Sequence, residues 1–113
     1  MFKKTAIAAA LSATALVGVS QAQAADYAID TEGQHAFIQF KISHLGFSYL
    51  LGSFEEFSGS FQYDPENLES ASAQLEVQVA SLNSNHAERD KHIKGSDFLN
   101  VGEYPTATFS STG

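Results

Sequence analysis

The 113-residue chain has no cysteine, no tryptophan, two prolines and one methionine. Without cysteine it can form neither a disulfide nor a cysteine nucleophile, so a folded domain must be held together by its core alone. Positive charge is scarce, because six Lys and Arg residues face thirteen Asp and Glu residues. An acidic surface of this kind repels nucleic acid and anionic lipid headgroups, and we therefore expect no nucleic-acid partner.

The N-terminus has the pattern of a secretory signal peptide. Lys3 and Lys4 precede an alanine-rich apolar stretch over residues 6–19, and Ala22 and Ala24 frame a small-x-small cleavage signal. We predict a signal peptide over residues 1–24, cleavage after Ala24 and a periplasmic location. The apolar run is shorter than the ~20 residues of a spanning helix, so we do not expect an integral membrane protein. Cleavage would remove Lys3 and Lys4, so the formal charge would change from −7 for the whole chain to −9 for the mature protein.

The remaining chain alternates between apolar and polar residues, as half-buried β-strands do. We predict strands over residues 36–44, 53–63 and 73–79, and a fourth that starts after Pro105 and has its partners beyond Gly113. A change of parity at residues 55–56 predicts a bulge inside the second strand. Antiparallel strands with few helices indicate an all-β sandwich or barrel.

One helix is predicted between the third and fourth strands. Asn85 opens an Asx-x-x-Glu capping box, the helix is expected over residues 86–94, and Gly95 is expected to end it. Few of its residues are apolar, so we predict a surface flap whose far end is anchored in the core by Phe98 and Leu99.

The four histidines suggest a metal site, but their spacing does not support one. His86 and His92 are six positions apart, about 120° out of alignment on a helix, and His35 and His44 lie at opposite ends of one strand. We expect no metal site, although a metal- or partner-binding β-domain stays an alternative. The serines lack the Gly-x-Ser-x-Gly setting of a hydrolase, and we do not expect an enzyme.

Phenylalanine is frequent, with nine in the chain. Six phenylalanines are predicted to crowd the inner face: Phe40, Phe47, Phe54, Phe57, Phe61 and Phe98. The pattern leaves two alternatives open, a dense aromatic core and an apolar cavity, because barrels near eight strands can be filled or can hold a ligand.

Two segments about forty residues apart resemble the YceI family. The first is His44-Leu45-Gly46-Phe47-Ser48, and the second begins at Asn85-His86 and continues through Arg89-Asp90 and His92 to Asp97-Phe98 and Tyr104-Pro105. Tyr27-x-Ile29-Asp30 resembles the opening strand of the family. The similarity runs from Ala25 to Gly113 and indicates one YceI-like domain over residues 25–113, which we interpret as incomplete because the chain stops inside a strand pattern.

The resemblance implies an extended, lipocalin-like antiparallel barrel that holds a polyisoprenoid or isoprenoid quinone in an apolar lumen for transport or storage, without a further cofactor. The candidate lining residues are Ile38, Phe40, Ile42, Phe54, Phe61, Leu75, Val77 and Phe98. The candidate polar mouth consists of His44, Arg89 and His92. Binding of fatty amides or other amphiphiles is an alternative, and the oligomeric state, a dimer included, is left open.

Overall fold

The computed structural model describes residues 23–33 and 35–113. Most of the predicted signal peptide, residues 1–22, lies outside the described residues. In the part that is described, no helix is long and apolar enough to cross a membrane.

The described chain is mainly β-structure, as the alternating pattern predicts. Its elements in chain order are β1 (Ala25–Ala28), β2 (Ile38–His44), β3 (Ser48–Phe54), β4 (Phe57–Tyr63), β5 (Ser72–Gln78), β6 (Leu82–Asn83), α1 (Ala87–Lys94) and β7 (Thr106–Ser110). Short 3₁₀ turns at Leu68–Ser70 and Val79–Ser81 flank β5. All strand pairs are antiparallel.

The larger sheet has four strands in the order β1-β4-β5-β7. Its strands alternate strictly, so that one face carries aromatic and aliphatic side chains and the other carries serine, threonine, glutamine and glutamate. This division is typical of an antiparallel sheet with one face in water. The β4–β5 connection begins with a turn in which the Asn67 N–H donates to the Asp64 carbonyl at 3.2 Å.

The smaller sheet has the order β2-β3-β6 and is built on a long hairpin. β2 and β3 pair over all seven of their residues, from Ile38 with Phe54 to His44 with Ser48. The connecting turn is closed by the Phe47 N–H, which donates to the His44 carbonyl at 3.1 Å. Leu45 (φ 54°) and Gly46 (φ 74°) both have left-handed backbones, the φ signs of a type I′ turn.

Two strand predictions are wrong. The strand expected over residues 53–63 is two strands in different sheets, because the chain leaves β3 at Phe54 and enters β4 at Phe57. Glu55 and Glu56 form this crossover instead of a bulge. The Glu55 backbone hydrogen-bonds to the 3₁₀ turn after β5, and the Glu56 backbone hydrogen-bonds to the last residue of β5. The fourth strand, β7, has a partner inside the chain, since it pairs with β5.

Helix α1 lies where it is predicted, but its ends differ from the prediction. The N-cap is His86, whose Nδ1 accepts the Arg89 N–H at 3.2 Å, while Asn85 has a left-handed backbone outside the helix. Gly95 ends the helix in an extended conformation and not in the left-handed one of a glycine stop. Phe98 is 63% exposed, so the prediction that it anchors the flap in the core is wrong, and the same holds for Leu99, at 36%.

Few apolar side chains are fully buried among the described residues. Val79, the first residue of the 3₁₀ turn between β5 and β6, and Leu82, directly after that turn, form this small core. The two sheets are joined through this turn and the 55–56 crossover. In the described residues they share no strand and do not close into a barrel, and their apolar faces are left largely uncovered.

Candidate functional site

One face of the four-stranded sheet is apolar across all of its strand pairings. Paired residues share a face, and the register aligns Phe57 with Val77, Gly59 with Leu75 and Phe61 with Ala73. β1 and β7 extend this face on both sides. We call it the four-stranded face; its large side chains include Tyr27, Phe57, Phe61, Tyr63, Leu75, Val77 and Phe109.

Aromatic packing holds one edge of the four-stranded face in shape. The rings of Tyr27 and Phe61 stack with centroids 4.9 Å apart and planes 12° from parallel. Phe61 nevertheless keeps 40% of its surface exposed, and Phe109 at the other edge keeps 54%. The aromatic side chains at this edge are therefore packed in a defined arrangement, and the face is still accessible to a ligand.

Gly59 lets side chains close over the middle of the four-stranded face. A Cβ at this position would come within 2.6 Å of the Gln74 carbonyl oxygen, 2.9 Å of Ile29 Cδ1 and 3.0 Å of Leu75 Cδ2. Glycine in the interior of β4 thus allows the close approach of the neighbouring strand.

The hairpin carries a second apolar face, formed by alternate residues of β2 and β3. It includes four of the predicted lining residues, Ile38, Phe40, Ile42 and Phe54, together with Leu50. The Phe40 ring covers Gly52 on the neighbouring strand and lies 5.8 Å from the Phe54 ring, centroid to centroid. An aromatic ring over a cross-strand glycine fixes the register of the pair.

A cleft of about 480 Å³ lies where the two sheets meet. Ile38 and Phe54 from the hairpin and Phe57 from the four-stranded face line its apolar part, and Glu55 and Gln39 line its rim. Of the predicted lining residues, the cleft contains Ile38 and Phe54, which both belong to the hairpin, and Phe61, Leu75 and Val77 of the four-stranded sheet do not line it.

Two aromatic residues of the predicted inner face lie elsewhere. Phe47 is 93% exposed in the hairpin turn, so its placement on the inner face is wrong. Phe98 follows α1 and packs edge-on against the His92 ring at 5.2 Å. No described strand carries it.

The three candidate mouth residues are not joined by the structure. His44 ends β2 at the hairpin turn, about 20 Å along β3 from the point where β6 pairs. Arg89 and His92 lie on α1, which contacts β6. Among the described residues no hydrogen bond or ion pair links His44 to either of them.

The Arg89 side chain hydrogen-bonds to the segment that precedes helix α1. Its Nε donates to the Ser84 hydroxyl at 2.8 Å and its terminal nitrogen donates to the Ser84 carbonyl at 2.6 Å. Asp90 accepts from both the hydroxyl and the backbone N–H of Ser84. The hydroxyl bond is the largest of the influences that hold the pKa of Asp90 below its ordinary value. The hydrogen-bond partner of the Arg89 guanidinium is thus a buried serine, Ser84.

The described residues hold no cluster of three side chains from His, Asp and Glu that could bind a metal ion. His35 lies 3.9 Å from Asp30, and His92 lies 4.0 Å from Asp97, as exposed pairs.

Tyr27, Leu50 and Phe109 belong to the apolar faces but were not among the predicted lining residues. The alternation in β7 predicts that Phe109 faces inward, but only the cross-strand register shows that it lies beside Leu75. Tyr27 lies in a four-residue strand, too short for alternation to mark its inner face.

Solved structures similar to this chain have the same arrangement of strands over part of their length. BcnA of Burkholderia cenocepacia matches with a TM-score of 0.63 and 27% identity, over 68% of this chain and 48% of BcnA. A YCEI protein of Campylobacter jejuni matches with a TM-score of 0.55 and 31% identity, over 77% of this chain and 50% of that one.

Sequence relatives cover the whole chain. A UPF0312 protein of Azotobacter vinelandii is 58% identical over 113 residues, which are all of this chain and 58% of the relative. One of Ectopseudomonas mendocina is 55% identical over 109 residues, or 96% of this chain and 56% of the relative. The chain thus spans less than two thirds of the length of these relatives. The model of the YceI-like domain matches residues 27–113, and the chain belongs to the YceI family.

Proposed function

We propose that this protein binds a long apolar lipid, a polyisoprenoid or an isoprenoid quinone, and carries or stores it in the periplasm. The observation that carries the proposal is the four-stranded face. It spans four strands, two of its aromatic rings, those of Tyr27 and Phe61, stack on each other, and its outer residues stay accessible.

The physical case rests on the length of the apolar surface. Four adjacent strands set side chains about 14 Å apart from the first strand to the last, at a spacing of ~4.8 Å. Each CH₂ group of a lipid tail that leaves water for such a surface contributes about 0.8 kcal/mol. An extended tail, which contacts many side chains, is held far better than a compact solute.

The opposite face explains how a carrier of this kind stays in solution. Asp26, Gln62 and Glu76 share it with serines and threonines, and Gln62 donates to Asp26 at 2.7 Å. A polar, acidic outside around an apolar inside lets an insoluble tail cross an aqueous compartment.

The candidate lining residues keep their proposed role in two groups. Ile38, Phe40, Ile42 and Phe54 lie on the hairpin face, and Phe61, Leu75 and Val77 lie on the four-stranded face. Phe98 stays a proposed lining residue, and His92 on α1 is proposed as a contact for the polar end of the lipid. His44, at the far end of the hairpin, is left out of this contact. Arg89 is proposed to act there only through the position of α1, because Ser84 occupies its guanidinium.

We also propose that the protein binds and does not catalyse. The pKa of Asp90 is shifted downward, away from the range of a general acid at neutral pH. Its cause is the serine that ties the helix to β6.

The test is a titration of the delipidated full-length protein with an isoprenoid quinone and, separately, with a fatty amide. Phe61→Ser removes a half-exposed ring from the four-stranded face, and we expect about a tenfold loss of quinone affinity. Leu68→Ser is the matched control, since Leu68 is 64% exposed in the 3₁₀ turn away from both faces.

Equal affinity in the two variants would contradict the proposed site. Tighter binding of the fatty amide than of the quinone would overturn the isoprenoid assignment and favour the amphiphile alternative. Thermal unfolding of both variants shows whether a loss of affinity is only a loss of fold.

A further inference from the structure

The turn of the β2–β3 hairpin exposes apolar side chains that contribute to neither apolar face. Phe47 is 93% exposed and Leu45 is 78% exposed, and Tyr49 and Leu51 continue the apolar surface on the outer side of β3. We call these four residues the hairpin tip. Large contiguous apolar surfaces on soluble proteins mark interaction sites.

The backbone conformation of Leu45 indicates that this side chain does not stabilise the turn. It occupies the first central position of a type I′ turn, with φ 54°. This position favours Asn, Asp or Gly, because other side chains strain the left-handed backbone. A strained, exposed leucine where asparagine would fit better points to a function of the side chain itself.

The charge distribution around the hairpin tip also indicates an interaction site. Residues 33–54 contain none of the thirteen acidic residues of the chain, and the only full charge in this stretch is Lys41. Its ammonium lies 3.8 Å from the centre of the Tyr49 ring. This cation–π contact holds a positive charge beside a tyrosine, a residue type that is enriched at membrane interfaces.

We propose that the hairpin tip docks the protein on the surface of an anionic phospholipid bilayer. Leu45 and Phe47 enter the boundary between headgroups and acyl chains, Tyr49 lies at headgroup level, and Lys41 meets the lipid phosphates. The acidic remainder of the protein is repelled from the same surface, so the molecule is oriented with the hairpin toward the membrane. Docking of this kind would serve the proposed lipid carrier, but it does not depend on it.

The test measures flotation of the full-length mature protein, stripped of lipid, with vesicles of phosphatidylcholine and phosphatidylglycerol or of phosphatidylcholine alone. We expect Leu45→Asn and Phe47→Ser each to lower vesicle partitioning about tenfold. Lys41→Gln should lower it only when phosphatidylglycerol is present. Leu68→Asn, a change at a similarly exposed leucine in an unrelated turn, should leave it unchanged.

Leu45→Asn keeps the test independent of folding, because asparagine suits the left-handed turn and should not lower the unfolding midpoint. Wild-type protein that does not float, or tip variants that float as well as wild type, would overturn the proposal. So would tip variants that lose only self-association in sedimentation, since the tip would then bind a second copy. Quinone binding by the tip variants is measured separately and should be unchanged, which separates failure of docking from failure of the carrier function.

Discussion

Gly59 provides the sharpest test of the four-stranded face, because a single methyl group added there meets the backbone of the next strand. In Gly59→Ala the new Cβ would come within 2.6 Å of the Gln74 carbonyl oxygen, closer than real Cβ contacts allow. Ile29 and Leu75 approach from the other side, at 2.9 and 3.0 Å. The side chains can rotate, but the carbonyl can move only if β5 shifts against β4.

The expected magnitude follows from two opposing effects. Overpacking of this kind destabilises by about 1–3 kcal/mol. Replacement of glycine by alanine in the unfolded chain restores about 0.4–1 kcal/mol, since the unfolded backbone loses freedom. We therefore expect Gly59→Ala to lower the free energy of unfolding by about 1–2 kcal/mol.

The assay is urea unfolding of the full-length protein followed by far-ultraviolet circular dichroism. Gly102→Ala is the matched control, because a Cβ at Gly102 meets nothing within 4 Å. We expect this control to be neutral or slightly stabilising. Equal unfolding midpoints for the two variants would refute the packing of β4 against β5 described above.

Further predictions concern the hairpin, the helix base and the second apolar face. Leu45→Asn should raise the free energy of unfolding by about 1 kcal/mol through relief of the left-handed leucine, which urea unfolding measures. The pKa of Asp90 lies below its ordinary value of 3.8 in the folded state, so its contribution to stability is complete above that pH and is lost as the pH falls through the folded pKa. Ser84→Ala removes the main cause of that shift and should flatten the acid limb of a stability–pH curve, whereas an unchanged limb would contradict the assignment. Gly52→Ala should displace the Phe40 ring that covers this glycine and weaken quinone binding, which the titration described above detects.

The regular strands could be predicted from the sequence because their alternation is strict. β5 and β7 lie within a residue or two of their predicted bounds, since a sheet with one wet face imposes period two on every residue. The same pattern identified the parity of Phe61, Leu75 and Val77. It could not reveal that Phe109 stands beside Leu75, because register is a relation between distant segments.

The hairpin and the crossover were missed for local reasons. β3 contains the consecutive apolar residues Tyr49, Leu50 and Leu51, so it shows no alternation, and its turn lacks the Asn-Gly signal of a hairpin. Leu45 occupies the place where that signal would stand. The change of parity at residues 55–56 was detected, but a bulge and a change of sheet produce the same pattern in the sequence.

The helix shows the limit of capping rules. Asn85 and Glu88 satisfy the sequence pattern of a capping box, yet the His86 imidazole caps the helix. Ser84 decides this geometry, because its hydroxyl and carbonyl hold Arg89 while its hydroxyl and N–H hold Asp90. A buried serine upstream of a helix gives no signal in the sequence that could have identified it as the organising residue.

The central claim is that an apolar lipid covers the exposed sheet faces. It is tested most directly by mass spectrometry of an organic extract of the full-length protein, purified without detergent from the cells that naturally produce it. We expect an isoprenoid in stoichiometric amount. A well-folded preparation whose extract contains no lipid would contradict the claim.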